Sequence, residues 1–411
     1  MAIEVNYEHQ SPDKGSTEVV ERKGLGHPDT LADGIAESAA IEYEKYCREQ
    51  FGVIPHHNFD KASILGGLCV QEYGGGVFTA PIKMLFMGRG SMSFAGEDIP
   101  LRDIQMETAK KYIARILPSL DTANSDMYTA DSTTSAYSTR PFWFNPRGIE
   151  DLPEYADQNL RANDTATMIS YWPLTPTEKM TLALEGYFYE NNEVGLPKPR
   201  LDYIGQDIKV MSVRSGSDLS VTMAVPQITY QTPDLRTYME RLRVLEDVMQ
   251  AIADEMVGDG LNVSLKVNTQ QQTANRPYLV TGGSCTDFGE EGAVGRGNKT
   301  HGIISSFRPN TMEAPHGKNP TYFVGKVLGY QADVIAREVS EKLDVKCQVI
   351  VQANIGDDLF DPKVIVSTDK RVSSDEVKAI VEQSLSAGRD TTNRIIDDAY
   401  FVPQAHIVDG V

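Results

Sequence analysis

Apolar residues recur along the chain at two spacings, and these predict where helices and strands fall. Over residues 30–51, Leu31, Ile35, Ala39 and Tyr43 return at helical intervals with acids between them, which predicts an amphipathic helix. Residues 103–117 repeat the pattern with Ile104, Ala109, Ile113 and Ile116. A third helix is expected from 175 to about 189. It opens on Thr175-Pro176-Thr177-Glu178, a capping box with proline near the helix start. Further helical patterns cover 235–256, 322–343, 373–385 and 392–399. Strands are expected at 17–20, 62–70, 77–87, 263–267, 278–281, 346–352 and 363–366. Residues 205–210 enter another strand, and 213–225 read as a hairpin with Arg214 to Asp218 at its tip. Strands and helices alternate irregularly, with several hairpins. The expected class is therefore α+β, with helices on one face of mixed sheets, not a single doubly wound sheet.

Punctuation refines this map. Residues 1–15 read as a polar, mobile lead-in. Gly66-Gly67 inside a strand pattern marks a bulge or a close backbone approach. Gly74-Gly75-Gly76 fits a hairpin turn somewhat better than a backbone nest. Residues 119–160 lack clear periodicity, and a long loop in a compact protein is usually functional or mobile. Its aromatic stretch, Pro141-Phe142-Trp143-Phe144-Asn145-Pro146, fits a lid, a base-stacking surface or a plug between subunits.

The chain has 411 residues, too long for one simple core, and carries a net charge of −19. Such a field opposes nucleic acid and anionic membrane. An anionic substrate then needs a local basic pocket or metal ions, which draws attention to Lys and Arg within glycine-rich segments. The four cysteines, Cys47, Cys69, Cys285 and Cys347, are far apart and form no C-x-x-C pair. Neither zinc nor a disulfide framework is indicated, and a reducing cytosol fits. The first ten residues do not resemble a signal peptide, and no apolar run is long enough to span a membrane. A cytoplasmic protein is expected.

Candidate chemistry gathers in two places. Glu21-Arg22-Lys23-Gly24-Leu25-Gly26-His27-Pro28-Asp29 sets an imidazole and a carboxylate on a glycine turn that leads into a predicted helix. Helix N-termini favour anions, His27 can donate to a phosphate oxygen, and Asp29 can bind a hard cation such as Mg²⁺. An ordinary loop with Asp29 as a helix cap explains the same residues equally well. The second place, residues 282–320, alternates glycines with Arg296, Lys299, Arg308 and Lys318, which fits phosphate contacts. It is neither a P-loop nor a Rossmann fingerprint. Taken alone, a solvated loop fits it as well.

The order of five motifs narrows these options. The 21–29 motif, Ala162-Asn163-Asp164-Thr165, Asp207-Ile208-Lys209-Val210-Met211, Val294-Gly295-Arg296-Gly297-Asn298 and Gly317-Lys318-Asn319-Pro320 resemble the methionine adenosyltransferase (S-adenosylmethionine synthetase) family, in its archaeal-type branch. The likeness runs from about residue 16 to about 370. It implies transfer of the adenosyl group of ATP to the sulfur of L-methionine, with triphosphate cleaved to pyrophosphate and phosphate. It also implies three similar subdomains, interleaved in sequence: about 16–118 with 282–327, then 140–281, then 328–411. Active sites would lie at the interface of a homodimer, with a tetramer as the other option. Mg²⁺ would be required, often helped by K⁺.

By the same resemblance, His27, Lys209, Arg296 and Lys318 would surround the triphosphate, with His27 near the bridging oxygen that leaves C5′. Glu21, Asn163, Asp164, Asp207, Asn298 and Lys326 would complete the ATP site. Asp29 and Glu290 would bind the metal, Glu290 standing where the family usually has Asp. Tyr322-Phe323 stands where relatives usually have small or polar residues and a His. A Gly-Gln-Gly-Ser-like segment is expected before Asn163, but the corresponding stretch here, residues 131–136, has no glycine. Two other readings follow from these departures: a relative with a shifted nucleophile or substrate, and a catalytically weak nucleotide-binding subunit. The retained His27, Asp29, Lys209, Arg296 and Lys318 argue against the latter.

Overall fold

The computed structural model describes residues 2–156, 160–189, 201–257, 260–270, 276–311, 313–388 and 390–405. Three larger sheets carry the fold, and helices pack on each of them. The first has the order Tyr128–Ser132, Ile82–Phe86, Ala62–Leu65, Gly292–Ala293. Pro28–Phe51 and Leu101–Ile116 cover it, and Leu31, Ile35, Ile64, Met84 and Ile113 share one core.

The second sheet has the order Asn262–Val267, Asp218–Ala224, Lys209–Ser215, Thr17–Lys23, Ile304–Ser305. Pro176–Gly186 and Leu235–Val257 back it through Met180, Leu184, Leu242 and Ile252. The third has the order Ala2–Asn6, Lys363–Thr368, Cys347–Ala353, Ala166–Trp172. Val324–Leu343 and Ser374–Leu385 cover it through Leu328, Ile335, Val377 and Val381. Parallel and antiparallel pairs mix within each sheet, so the class is α+β as expected.

The glycine-rich segment ties these units together. Its Gly292–Ala293 joins the first sheet and its Ile304–Ser305 the second. Gly292 allows the first contact, because a Cβ there would meet the Pro28 backbone at 2.1 Å. The same segment covers the expected polar side of Pro28–Phe51. Asp33 and Glu37 are therefore buried, not solvated, and Glu44 is buried against His57 at 2.9 Å. Asp33 accepts from the Gly295 N–H at 2.8 Å, and Glu37 from the Gly317 N–H at 2.8 Å.

Several expectations need correcting. Residues 1–15 are not simply a mobile lead-in: Ala2–Asn6 pairs in parallel register with Lys363–Thr368, and Ile3 and Val5 pack on the third core. The partner lies more than three hundred residues away, so local pattern does not reveal it. Residues 119–160 are not one long loop either. Tyr128–Ser132 forms an edge strand parallel to Ile82–Phe86, with a polar sequence that suits an edge. Arg214 is not at an exposed tip. The turn is Ser215 to Asp218, and Arg214 is buried with its Nε 2.6 Å from Glu18. Gly74 lies in the turn between Leu68–Glu72 and Gly75–Ala80, as the plain-turn reading expects. At Gly66 a Cβ would meet the Gly289 backbone at 2.4 Å, a close approach.

Candidate active site

The turn before Pro28–Phe51 is shaped by contact with residues 206–208. Gly24 N–H donates to Ile208 O at 2.7 Å, and Gly26 N–H to Gln206 O at 3.0 Å. A Cβ on Gly26 would lie 2.5 Å from the Gln206 backbone, so glycine is required there. The turn sets His27 as the N-cap. Its Nδ1 accepts from the Asp29 N–H at 3.2 Å, and Pro28 holds the first helical position. Burial lowers the His27 pKa, opposed by the charges of Asp207 and Asp29. The ring is therefore neutral near pH 7. With Nδ1 accepting, Nε2 carries the proton and is the donor.

Asp29 is buried at the centre of a charge cluster. Its carboxylate lies 2.8 Å from Lys23 Nζ and 3.6 Å from Arg296 Nε, and accepts from the Ala293 N–H at 3.2 Å. Lys23 also donates to Arg296 O at 2.7 Å. Asn298 grips the Lys23 backbone with both ends of its amide, accepting at 3.0 Å and donating at 2.7 Å. Lys209 lies across the sheet from Lys23, and its Nζ is 2.9 Å from Glu21. Asp207 is buried, accepting from Tyr278 Oη at 2.7 Å and from the Cys285 N–H at 3.0 Å. The side chains of Arg296 (75% exposed) and Lys209 (42% exposed) remain open to solvent. Exposed ion pairs contribute little, so both cations can be exchanged onto a ligand anion at small cost.

Glu21, His27, Asp29, Asp207, Lys209, Arg296 and Asn298 thus share one neighbourhood. The remaining expected site residues do not all join it. Lys318 lies further along the first helix, through the Gly317–Glu37 bond. Asp29 and Glu37 are eight residues apart, or about 12 Å of helix. Lys318 touches Glu313 and has Asp60 at 3.9 Å. Burial pulls its pKa down to about 8. The touching Glu313 carboxylate favours the charged form, and we take Lys318 as charged at neutral pH. Asp164 contributes to the field at Lys318, and Asn163 accepts from the Val324 N–H at 2.9 Å.

Lys326 is fully buried. Its Nζ lies 2.8 Å from Glu37 and donates to Lys318 O at 2.8 Å, which makes it a support for Lys318. Glu290 is exposed, and no contact among the described residues joins it to Asp29; its charge acts on Cys285. Sequence reasoning gave no separate role to Lys23, Asp33 or Glu37. The one available signal was the four-residue spacing of Asp29, Asp33 and Glu37, which reads as a solvated helix face until the covering segment is known.

The family profile of S-adenosylmethionine synthetase (AdoMet synthetase) matches residues 1–399. The chain belongs to that family. The S-adenosylmethionine synthase of Methanocaldococcus jannaschii is 32% identical, over 96% of this chain and 94% of its own. That of Haloarcula marismortui is 31% identical, over 92% and 93%. A protein of Streptococcus pyogenes serotype M3, described only as uncharacterized, is 48% identical over the full length of both chains. The solved structure of an unusual S-adenosylmethionine synthetase from Campylobacter jejuni has the same fold, with a TM-score of 0.58 at 14% identity. The likeness covers 94% of this chain and 90% of that one.

Family membership implies a metal ion. Among the described residues, no group of three His, Cys, Asp or Glu is arranged to hold one unaided. Mg²⁺ usually takes only one or two protein carboxylates and completes its shell with phosphate oxygens and water. Asp29 fits that role: its carboxylate is held at a cation-rich helix N-terminus, and a ligand phosphate would draw off its cationic partners. Among the described residues no helix is long and apolar enough to cross a membrane.

Proposed function

We propose that the protein transfers the adenosyl group of ATP to the sulfur of L-methionine, giving S-adenosylmethionine. The sulfur lone pair forms the S–C5′ bond, the C5′–O bond breaks, and triphosphate leaves. Water then cleaves triphosphate to pyrophosphate and phosphate. A thioether has no proton to lose, so the first step needs no general base. It needs in-line geometry and stabilisation of the departing charge.

One observation carries this reading: Lys23 and Arg296 flank the Asp29 carboxylate at the helix N-terminus that His27 caps, with Asn298 holding the Lys23 backbone. Arg296 and Lys209 would turn from Asp29 and Glu21 onto phosphoryl oxygens. The Nε2–H of His27 would donate to the leaving oxygen without needing to be an imidazolium. Lys318 would hold the farther phosphoryl groups. Asp29 would hold Mg²⁺, with Glu290 as a second candidate; bound there, the metal would neutralise triphosphate charge.

We read the protein as cytoplasmic, which its four free cysteines support. We read it also as a homodimer. Leu68, Val70 and Val77 are exposed on one hairpin beside exposed Phe288, an apolar patch of the kind that associates. Sedimentation at micromolar protein should give twice the mass of one chain.

The deciding assay is purified protein with ATP, Mg²⁺ and L-methionine, read by mass spectrometry and phosphate release. S-adenosylmethionine with pyrophosphate and phosphate is the expected result. Triphosphate cleavage without S-adenosylmethionine would favour a shifted nucleophile, which the aromatic residues at 322–323 and the glycine-free 131–136 stretch make the second reading. Failure to bind nucleotide would remove both.

A further inference from the structure

Four residues, Gly24 to His27, form the turn that presents the His27 imidazole, and the His27 N–H closes it on Gly24 O at 3.0 Å. The amides of Gly24, Gly26 and His27 all donate to backbone carbonyls. That of Leu25 reaches side chains instead: Glu185 Oε1 and Tyr189 Oη, each at 3.2 Å. Tyr189 Oη in turn donates to the same Glu185 oxygen at 2.5 Å. A Cβ on Gly24 would lie 2.9 Å from that oxygen, so glycine there leaves room for the carboxylate.

A carboxylate is costly where Glu185 stands. It lies in the last turn of Pro176–Gly186, where the helix dipole opposes a negative charge, and its side chain is 0% exposed. Taking a charge out of water is unfavourable unless partners replace the water. Its Oε2 has Arg22 Nε at 3.2 Å. That guanidinium is itself fixed, with Nη1 donating to Gly302 O at 2.7 Å and Nη2 to Gln404 O at 2.9 Å. Arg22 therefore holds the carboxylate from behind, and the other oxygen faces the turn. A hydrophobic side chain of similar volume fills such a space at less cost, but it cannot hold an amide.

The role of His27 depends on direction. Its Nδ1 accepts from the Asp29 N–H, which keeps Nε2 as the donor. A displaced turn re-aims that donor, and misplacement on a scale of about 1 Å can cost on the order of 10²-fold in rate.

We propose that Glu185 is a positioning residue for the His27 donor: its Oε1 fixes the Leu25 amide and, through the turn, the direction in which the imidazole points. The inference rests on the proposed adenosyl transfer for the role of His27. It extends that role to a buried group on the helix behind the second sheet.

The test uses Glu185→Gln, which keeps the shape but offers one acceptor oxygen where the carboxylate offers two, so Arg22 and Leu25 compete for it. Tyr189→Phe removes only the bridging hydroxyl and serves as the gentler variant if the first does not fold. Each is made in the wild type and in His27→Ala. The readouts are kcat for S-adenosylmethionine formation, equilibrium binding of ATP, and nitrogen NMR of labelled histidine. The His27 ring is one of seven and is assigned by its absence from His27→Ala.

Glu185→Gln should lower kcat about tenfold, part of the loss expected when the donor itself is removed. ATP affinity should not change. In the His27→Ala background the same substitution should change kcat by less than about twofold, because effects that act through one group do not add. The His27 signal should be that of the Nε2–H tautomer in the wild type and should show the second tautomer in Glu185→Gln. Tyr189→Phe should give the same pattern at smaller size.

An equal fold-loss with and without His27 would overturn the inference, and so would ATP affinity that falls in step with kcat. Either result marks a merely structural residue. A His27 signal that does not respond to Glu185→Gln or Tyr189→Phe would overturn it as well. If the wild type forms no S-adenosylmethionine, the NMR comparison still decides: a tautomer that depends on Glu185 keeps the positioning role and removes the reaction. S-adenosylmethionine formed by both variants at the wild-type rate keeps the reaction and removes the role.

Discussion

His27 shows how one side chain acquires a role from its neighbours. As an N-cap it accepts from the Asp29 N–H, which leaves Nε2 as donor. Replacing it with alanine should lower kcat by about 10²–10³, the usual cost of one positioned donor. ATP binding should persist, because the other cations remain. Steady-state kinetics with a parallel nucleotide titration checks this, and near-normal turnover would take His27 out of the mechanism.

Asp287 offers a second residue-scale test. Its Oδ2 accepts from the N–H groups of Thr281 (2.5 Å) and Gly282 (2.7 Å), beneath the turn whose Gly283 O holds Gln206 and Asp207. Burial raises its pKa from the ordinary 3.8 to about 7, although those two N–H groups work in the other direction. The folded chain then holds this proton more tightly than the unfolded one. The resulting stabilisation is complete below about pH 4 and is lost as pH rises through about 7. Asparagine does not titrate. In urea denaturation, the stability of the wild type relative to Asp287→Asn should therefore fall between pH 5 and pH 8. A difference that does not change with pH would contradict this.

Among the elements, the Pro176–Gly186 helix was the most legible. Its capping box forms as the motif predicts, with Thr175 Oγ1 accepting from the Glu178 N–H and Glu178 accepting from the Thr175 N–H. Thr175 also donates to buried Glu18 at 2.7 Å, and Glu18 pairs with Arg214. Thr175→Ala should destabilise the protein by about 1–2 kcal/mol, at the upper end for a lost cap because Glu18 loses a donor too. Chemical denaturation at constant m-value measures it. Elsewhere the legibility follows the physics. Pro28–Phe51 and Leu235–Val257 are long and periodic, so their existence was clear. Ala2–Asn6 and Tyr128–Ser132 are short edge strands with parallel partners, and nothing near them in sequence signals the pairing.

At the scale of the molecule, buried charge joins the units. Lys326 belongs to the helix on the third sheet and Glu37 to the helix on the first, and their side chains meet with no solvent exposure. Lys326→Ala would strand Glu37, which typically costs about 3–5 kcal/mol. Glu37→Gln combined with Lys326→Met should recover much of that loss. Equilibrium unfolding of single and double variants provides the check, and a loss of ATP affinity at unchanged stability would instead return Lys326 to the binding site.

The sequence by itself determined the fold class, most of the helices, the family motifs and the residue types that a polyphosphate needs. These depend on local periodicity and on short-range turn chemistry, which a linear pattern records. Only the tertiary structure decided which motif residues meet. It gathered Lys23, His27, Asp29, Lys209 and Arg296 at one helix end, buried Lys326 beside Glu37, and left Glu290 exposed. The reason is that the segment after Gly282 lies along the first helix: backbone amides find buried carboxylates there, and that pairing depends on where two distant stretches of chain pack.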